Sequence, residues 1–481
     1  MALRTPEDYV ASLRDGREVY YRGERVADVT THPALAPAVR HAALEYASAQ
    51  DPAHASLLTY SDARGERSSR YWKTPTEPYD LLHRHALIDH GTRVGHGVFL
   101  IIKEIGSDFL FAHTIVSYQM QEALRAPYHE RLSAYHRHVE EGDLALAVAQ
   151  TDVKGDRSLG PSEQEHPDYY VRIVERRPDG IVVRGAKAHT TNAVVANEVI
   201  CIPTRALTDG DRDYAVAFAV PVATRGVKLL VSPFSAATGQ STFHHPVSAE
   251  HKMVETLTVF DDVFVPQERV FLCGEAAYAG ALALGFVQFH RFTAVSYKIP
   301  HIDLMIGSAM LAAEANGVEK AGHVREKLAR LIAWRETVRG LTIAAAYESR
   351  HMAPGVVVPN PVTTNVAKQY FAENYHVMAQ KVQDIAGGLV VTGPSEEDLA
   401  APATKGYVER YLGGRRGVGA TNRLRIMNLV RDLLASDFGG YNELLSIHAE
   451  GSLEAQKLTI LREFDAGAVR GFAARCARLE A

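Results

Sequence analysis

The chain has 481 residues, is 46% hydrophobic, and carries 52 basic against 57 acidic side chains for a formal charge of −5. It has no long run of one sign, which argues against a nucleic-acid face or a basic membrane-binding face and points to a small-molecule ligand. Three cysteines, Cys201, Cys273 and Cys476, lie far apart without a CxxC pair, which argues against a disulfide framework or a zinc ribbon and suits a reducing cytoplasm.

The first segment, MALRTPEDYVASLRDGR, is charged and lacks an apolar leader core. Nowhere do about 18 uninterrupted apolar residues occur, so a soluble, unexported protein is expected. The length calls for more than one packed unit. Residues 1–143 read as a helical domain after a short extended piece at 18–28, with Leu81, His85 and Ile88 on one helical face and the apolar 98–111 suited to a buried helix. Residues 144–272 change period to short β-branched and aromatic runs at 214–220, 227–231 and 257–265, separated by turns, as a β-barrel module would be. Helical spacing returns over 273–481, where Val324, Leu328, Leu331 and Val338 mark one helix, and Val366, Tyr370 and Val377 another ending near Gly387-Gly388. The fold class is therefore α+β, mainly α.

The densest polar chemistry lies in TDVKGDRSLGPSEQEHPDYYVRIVERRPDGIVVRGAKAHTT, residues 151–191. Alternating runs at 169–176 and 181–184 flank Arg177-Pro178-Asp179-Gly180, where proline presets φ and glycine supplies a positive φ, so a hairpin is expected with a polar loop on either side. Thr151, Asp152, Lys154, Asp156, Arg157, Lys187, His189 and Thr191 supply donors and acceptors there. Spacing alone serves a binding site and ordinary solvated turns equally. Two histidine groups, His83, His85 and His90, and His129, His136 and His138, follow no known ligand spacing, and no metal is expected. Gly413-Gly414-Arg415-Arg416-Gly417 follows no strand and lacks a Lys-Ser/Thr pair, so it reads as a loop between helices.

Several segments, in order, resemble the 4-hydroxyphenylacetate 3-hydroxylase and 4-hydroxybutyryl-CoA dehydratase superfamily: SLRDGREVYYRGERVADVTTHPA, TDVKGDRS, GAKAHTTNA, VFDDVFVPQERVFLC and DIAGGLVVTGPSEED. The resemblance covers nearly the whole chain. It implies an acyl-CoA dehydrogenase-like fold, a β-barrel between helical layers, with FAD as cofactor and a homotetramer in which a neighbour completes the flavin site. By the same resemblance Thr151, Asp152, Lys154, Asp156, Arg157, Ser158, Lys187, His189 and Thr191 line the flavin ring, Asp384, Gly387 and Gly388 serve its adenosine diphosphate end, and His290, Glu255 and Lys298 are the catalytic positions. A flavin needs donors where charge collects on reduction and a controlled partner at its reacting nitrogen.

The departures from the resembled pattern are as informative. The dehydratase branch holds an iron–sulfur cluster through three cysteines and a histidine; the histidine is His290, but the cysteine positions read Leu100, Glu104 and Tyr297, so no cluster is expected. A tyrosine and an acid of that branch fall on Ala294 and Leu445. The Arg, Tyr and His with which the hydroxylase branch holds a phenol fall on Ile105, Phe109 and Val148, all apolar, and a buried phenolate there would lack a partner. The expected activity is a reduced-flavin-dependent monooxygenase, supplied with FADH2 by a separate reductase and acting on a non-standard small or carrier-tethered substrate. The alternatives are a cluster-free isomerase or desaturase of an acyl thioester, with His290 and Glu255 moving protons, and a non-catalytic flavin-binding protein.

Overall fold

A computed structural model describes residues 3–62, 64–234 and 239–479, ordered as helices, then two sheets, then helices. The amino-terminal helices Pro78–Val94, Glu104–Leu124 and Tyr128–Gly142 share one hydrophobic core with part of the β region, and Ala36–Gln50 packs into another. The long helix Ala276–Asn316, with Gly322–Tyr347 and Pro361–Ala386, forms the centre of the carboxyl-terminal bundle. Ala276–Asn316 runs 41 residues and is buried along most of its circumference, as an almost uniformly apolar helix must be. It ends where Gly317 takes φ +71, the left-handed cap that glycine adopts without a Cβ penalty.

The β region is two packed sheets and, among the described residues, not a closed barrel. One has the order Glu24–Val26, Glu18–Tyr21, Val227–Val231, Glu255–Pro266, Gly180–Thr191, Arg172–Arg177; the other runs Val270–Cys273, Val216–Pro221, Glu198–Cys201, Leu146–Ala149. Their inner faces meet over Val183, Val199, Phe218 and Phe260, with the two phenyl rings edge to face at 5.3 Å. Two pairings are parallel: Glu18–Tyr21 with Val227–Val231, and Leu146–Ala149 with Glu198–Cys201. The extended piece near residue 18 thus belongs to the first sheet, although its sequence precedes the helical domain.

Three expectations change. The apolar 98–111 is helical only from Glu104: Ile101 has φ +45, and the Glu104 carboxylate accepts the amides of Ile102 and Lys103 at 3.1 Å, capping the segment instead of continuing it. The second hairpin strand does not stop at residue 184 but runs through Thr191. Its pairing with Glu255–Pro266 extends to the register Thr191↔Glu255, so Lys187, His189 and Thr191 sit on a strand and not in a loop. In Pro361–Ala386 the buried stripe is Ala367, Phe371, Tyr375, Met378 and Val382, one step round from the expected face, where Phe371 and Tyr375 pack on Trp334 of Gly322–Tyr347.

Candidate active site

Helix spacing sets the first part of the site. His290, Thr293 and Tyr297 lie at i, i+3 and i+7 of the long helix and so share a face, with Lys298 beside them. His290 Nδ1 lies 3.0 Å from Asp108 Oδ2, and the ring stacks on Phe286 with centroids 5.3 Å apart. The other oxygen of Asp108 accepts from Arg84 at 2.6 Å and Thr293 at 2.9 Å, and Arg84 also donates to the Glu104 carbonyl.

One turn along, the Tyr297 hydroxyl donates to Glu450 and accepts from Lys298 at 2.8 Å, while its ring stacks on Phe99 at 3.9 Å. Lys298 and Lys368 approach the same Glu450 oxygen at 3.3 and 3.5 Å, all three side chains being almost fully buried. Burial works to raise the Glu450 carboxyl, but the two ammonium groups overcome it and hold the group down at about 2. Burial pulls Lys298 down to about 7 against the pull of Glu450. A cavity bounded by Phe99, Met253, Tyr297, Lys298, Phe371 and Leu445 adjoins this network.

The second part comes from the sheet. Glu255, the first residue of its strand, accepts from the Thr191 hydroxyl at 2.9 Å and from Tyr441 at 2.8 Å. Burial pushes its carboxyl up to about 7, against those two hydrogen bonds. Tyr297 feels the charge of Glu255 and Glu450, and Glu450 that of His290, so Thr191, Glu255, His290 and Lys298 form one electrostatic neighbourhood. Between the ordinary carboxyl range and about 7, folded Glu255 holds a proton that the unfolded chain has released; its contribution is therefore lost as pH rises through that window. Glu255→Gln is expected to flatten this fall, visible as a shallower decline of thermal midpoint between about pH 5 and pH 8. An unchanged slope would mean that Glu255 titrates normally.

The flavin-ring residues divide in two. Lys187 and Asp152 are buried and paired with each other; Lys187 also donates to the carbonyls of Gln150 and Ile202, and Asp152 accepts from Thr204. With the backbone bond from Ala188 to Thr151, they pin the 151–158 loop across the strand. Asp156, on the exposed loop, caps the amide and hydroxyl of Ser158. The side chains of Thr151, Lys154, Arg157 and His189 make no hydrogen bond or ion pair among the described residues, and burial followed by the nearby Lys154 charge lowers the His189 titration. This unspent donor rim, beside Thr191, fits an electron-rich ring and its polar tail.

At the far end Gly387 closes Pro361–Ala386 with φ +80, and a Cβ at Gly387 or Gly388 would meet nothing within 4 Å; Asp384 pairs with Lys327. No hydrogen bond or ion pair among the described residues joins this turn to the Thr151 rim. The donor set around His290 does not fit an iron–sulfur cluster: Leu100 is apolar and buried, Glu104 is turned onto its own backbone, and the Tyr297 hydroxyl is engaged twice.

The phenol positions are core. Phe109 packs on Phe271, Val148 pairs with Ile200 inside a sheet, and Ile105 joins the same cluster. The six clustered histidines have separate partners where any is found, His136 the Trp72 carbonyl, His129 Ser117, His138 Glu198, and no group of three or more side chains among the described residues is placed to hold a metal. Residues 413–417 form the turn between Lys405–Tyr411 and Ala420–Leu434.

Sequence reading missed Asp108, Arg84, Lys368, Tyr441 and Glu450. Lys368 carried a signal, a lysine inside an apolar helical stripe; Asp108 lay in plain view in Gly106-Ser107-Asp108. Glu450, between two helices, carried none. Leu445, where the dehydratase branch carries an acid, lines the cavity beside Tyr297 and Lys298.

Two packed sheets set among helices, a donor rim on the 151–158 loop and the neighbouring strand, and the buried groups Glu255, His290, Lys298 and Glu450 are the frame of a flavin-dependent enzyme of the acyl-CoA dehydrogenase-like fold. The 4-hydroxyphenylacetate 3-hydroxylase family matches residues 5–272 with its N-terminal part and residues 279–478 with its C-terminal part, and the chain belongs to that family. It is 33% identical to the 4-hydroxybutyryl-CoA dehydratase/vinylacetyl-CoA-Delta-isomerase of Clostridium aminobutyricum, covering 96% of each chain. It is 30% identical to the (3S)-3-amino-3-(3-chloro-4-hydroxyphenyl)propanoyl-[peptidyl-carrier protein SgcC2] monooxygenase of Streptomyces globisporus, over 95% of this chain and 86% of that one. Among solved structures, the oxygenase component of 4-hydroxyphenylacetate 3-monooxygenase complexed with FAD superposes with a TM-score of 0.91 at 28% identity, covering 99% of both chains. FAD is accordingly the cofactor of this chain.

Among the described residues, no helix is long and apolar enough to cross a membrane.

Proposed function

We propose that the protein is a reduced-flavin-dependent monooxygenase whose substrate is a thioester- or carrier-linked molecule and not a free 4-hydroxyphenylacetate-like phenol. The observation that carries this reading is a pair of losses beside a retained cradle. The phenol-holding positions are filled by buried Ile105, Phe109 and Val148, and the cluster positions by Leu100, Glu104 and Tyr297, while Thr151, Lys154, Arg157 and His189 keep free donors. The carrier-linked substrate named for the Streptomyces relative supports the choice of substrate class.

Thr151, Lys154, Arg157, His189 and Thr191 would hold the ring and its tail, with Asp152, Lys187, Asp156 and Ser158 shaping the loop. Asp384, Gly387 and Gly388 of one subunit would approach the adenosine diphosphate end of a flavin seated in another. Reduced FAD, delivered by a separate reductase, supplies the electrons that activate oxygen. His290, Glu255 and Lys298 manage protons at the substrate, and Phe99 and Phe371 keep water from it. An interface between copies, as a homotetramer would need, is supported by the apolar Leu458, Leu461, Val469 and Phe472, which stand exposed on Leu453–Glu463 and Ala466–Cys476.

A second reading has its own observation: Glu255, poised at about 7 beside Thr191, and His290 are suited to taking a proton α to a thioester carbonyl and returning one at the γ carbon. One rapid-mixing experiment separates the two. Protein loaded with reduced FAD is mixed with oxygen, and a transient absorbing species distinct from oxidised flavin is expected. Immediate reoxidation to peroxide, together with double-bond migration when vinylacetyl-CoA is supplied, would replace the monooxygenase by the isomerase.

A further inference from the structure

We propose that Asp108 is the positioning residue of the site: it fixes the His290 imidazole as the tautomer with its proton on Nδ1 and its lone pair on Nε2, making Nε2 the proton acceptor. This rests on the reading that His290 handles protons here. Every polar edge of Asp108 is accounted for, and the carboxylate is wholly buried. Oδ2 faces Nδ1 at 3.0 Å, and Oδ1 takes the Arg84 and Thr293 hydrogen bonds. A carboxylate accepts only, so the proton between it and a neutral imidazole must sit on Nδ1.

Phe286 fixes the ring plane, and Arg84 is itself fixed by the Glu104 carbonyl and by lying over the Phe111 ring at 5.2 Å. His290 Nε2 has no hydrogen-bond partner among the described residues and is not among the fully enclosed, unpartnered polar atoms, so it keeps some accessible surface within a mostly buried side chain. When Nε2 takes a proton from the substrate, the ring becomes an imidazolium with Asp108 as its counter-charge. Returning that proton restores the starting state. A carboxylate behind an imidazole contributes by tautomer and orientation, and its exchange for an amide commonly costs orders of magnitude in rate while leaving geometry intact.

The test reads the tautomer and not turnover, so it stays separate from the choice of reaction. In the FAD-loaded full-length protein labelled with ring-15N histidine, at a pH where histidine is neutral, the His290 signals are assigned by their loss in His290→Gln. They should show a proton-bearing Nδ1 and a bare Nε2. The reverse tautomer in the unmutated protein would overturn the proposal, whatever the variants do.

In Asp108→Asn the amide can donate to Nδ1, so the tautomer should invert. Carbethoxylation of His290 by diethyl pyrocarbonate, followed peptide by peptide, should slow by about tenfold or more, and Asp108→Glu should restore most of the rate. An Asp108→Asn protein with normal circular dichroism and FAD binding but unaltered His290 labelling would reduce Asp108 to a packing role and reject the assignment. If the tautomer is as proposed while oxygen mixing fails to give the transient, the monooxygenase reading falls and Asp108 keeps its role.

Discussion

Glu450→Gln should lower the stability of the chain by about 3–5 kcal/mol, the cost typical of removing one partner from a buried ion pair. The carboxylate is the shared counter-charge of Lys298 and Lys368 and the acceptor of the Tyr297 hydroxyl, and its side chain is 2% exposed. Glutamine keeps the shape and removes the charge. Both lysines already titrate low because burial disfavours the ammonium, and without Glu450 they titrate lower still.

The folded state then binds fewer protons than the unfolded chain over a wider window, so the deficit should deepen as pH falls, from about pH 9 to about pH 6. Denaturant midpoints of the variant and the parent at those two pH values measure it. A deficit of the same size at both would show that the lysines were not relying on this carboxylate. Glu326→Gln provides the contrast: its pair with Arg330 is exposed, and about 0.5 kcal/mol or less should be lost.

The second large effect is expected at Lys187→Met. Three acceptors depend on this ammonium: the Asp152 carboxylate and the carbonyls of Gln150 and Ile202. Methionine fills the space but leaves Asp152 charged and buried with only Thr204 to satisfy it, again about 3–5 kcal/mol. The 151–158 loop also loses its anchor, so FAD affinity should fall with stability.

The double variant Asp152→Leu with Lys187→Met should recover much of the stability, since a buried pair replaced on both sides by apolar groups is often close to neutral. Isothermal titration with FAD then tells the roles apart. If the double variant recovers stability but still binds FAD weakly, the pair exists to hold the loop in place; if FAD binding never changed, the loop does not contact the flavin.

Much of the architecture was legible because its signals are local. The switch from helical to two-residue periodicity near residue 144, the turn at Pro178-Asp179 and the glycine stop at 387 are each decided by a few adjacent side chains, although Gly180 opens the next strand without the positive φ expected of it. The strand Val227–Val231 matches its expected limits, and Gly322–Tyr347 contains its expected face.

What was not legible depends on partners distant in sequence. Residues 185–191 look like a loop because glycine, lysine and histidine are poor strand formers, yet Glu255–Pro266 recruits them into a sheet. The site divides along the same line. Thr191, Glu255, His290 and Lys298 could be named from their motifs, but Asp108 lies 182 residues from His290, and Glu450 152 residues from Lys298. No periodicity encodes such meetings, because they are produced by helix packing. The two-sheet form of the β region was hidden for the same reason: strand runs can be read in sequence, but whether their edges close on each other cannot.

The parallel pairing of Glu18–Tyr21 with Val227–Val231 has a consequence for biosynthesis. During translation the early strand has only its hairpin neighbour Glu24–Val26, while its other edge waits for a partner about two hundred codons downstream. At about 5–20 residues per second that delay lasts roughly 10–40 s. For that interval Val19, fully buried in the finished protein, belongs to an open, unpaired edge on a nascent chain. Completion of the first sheet is therefore timed by the ribosome. Slowing elongation between codons 27 and 227 should raise the demand for ribosome-associated chaperones, whereas slowing it after codon 266 should not.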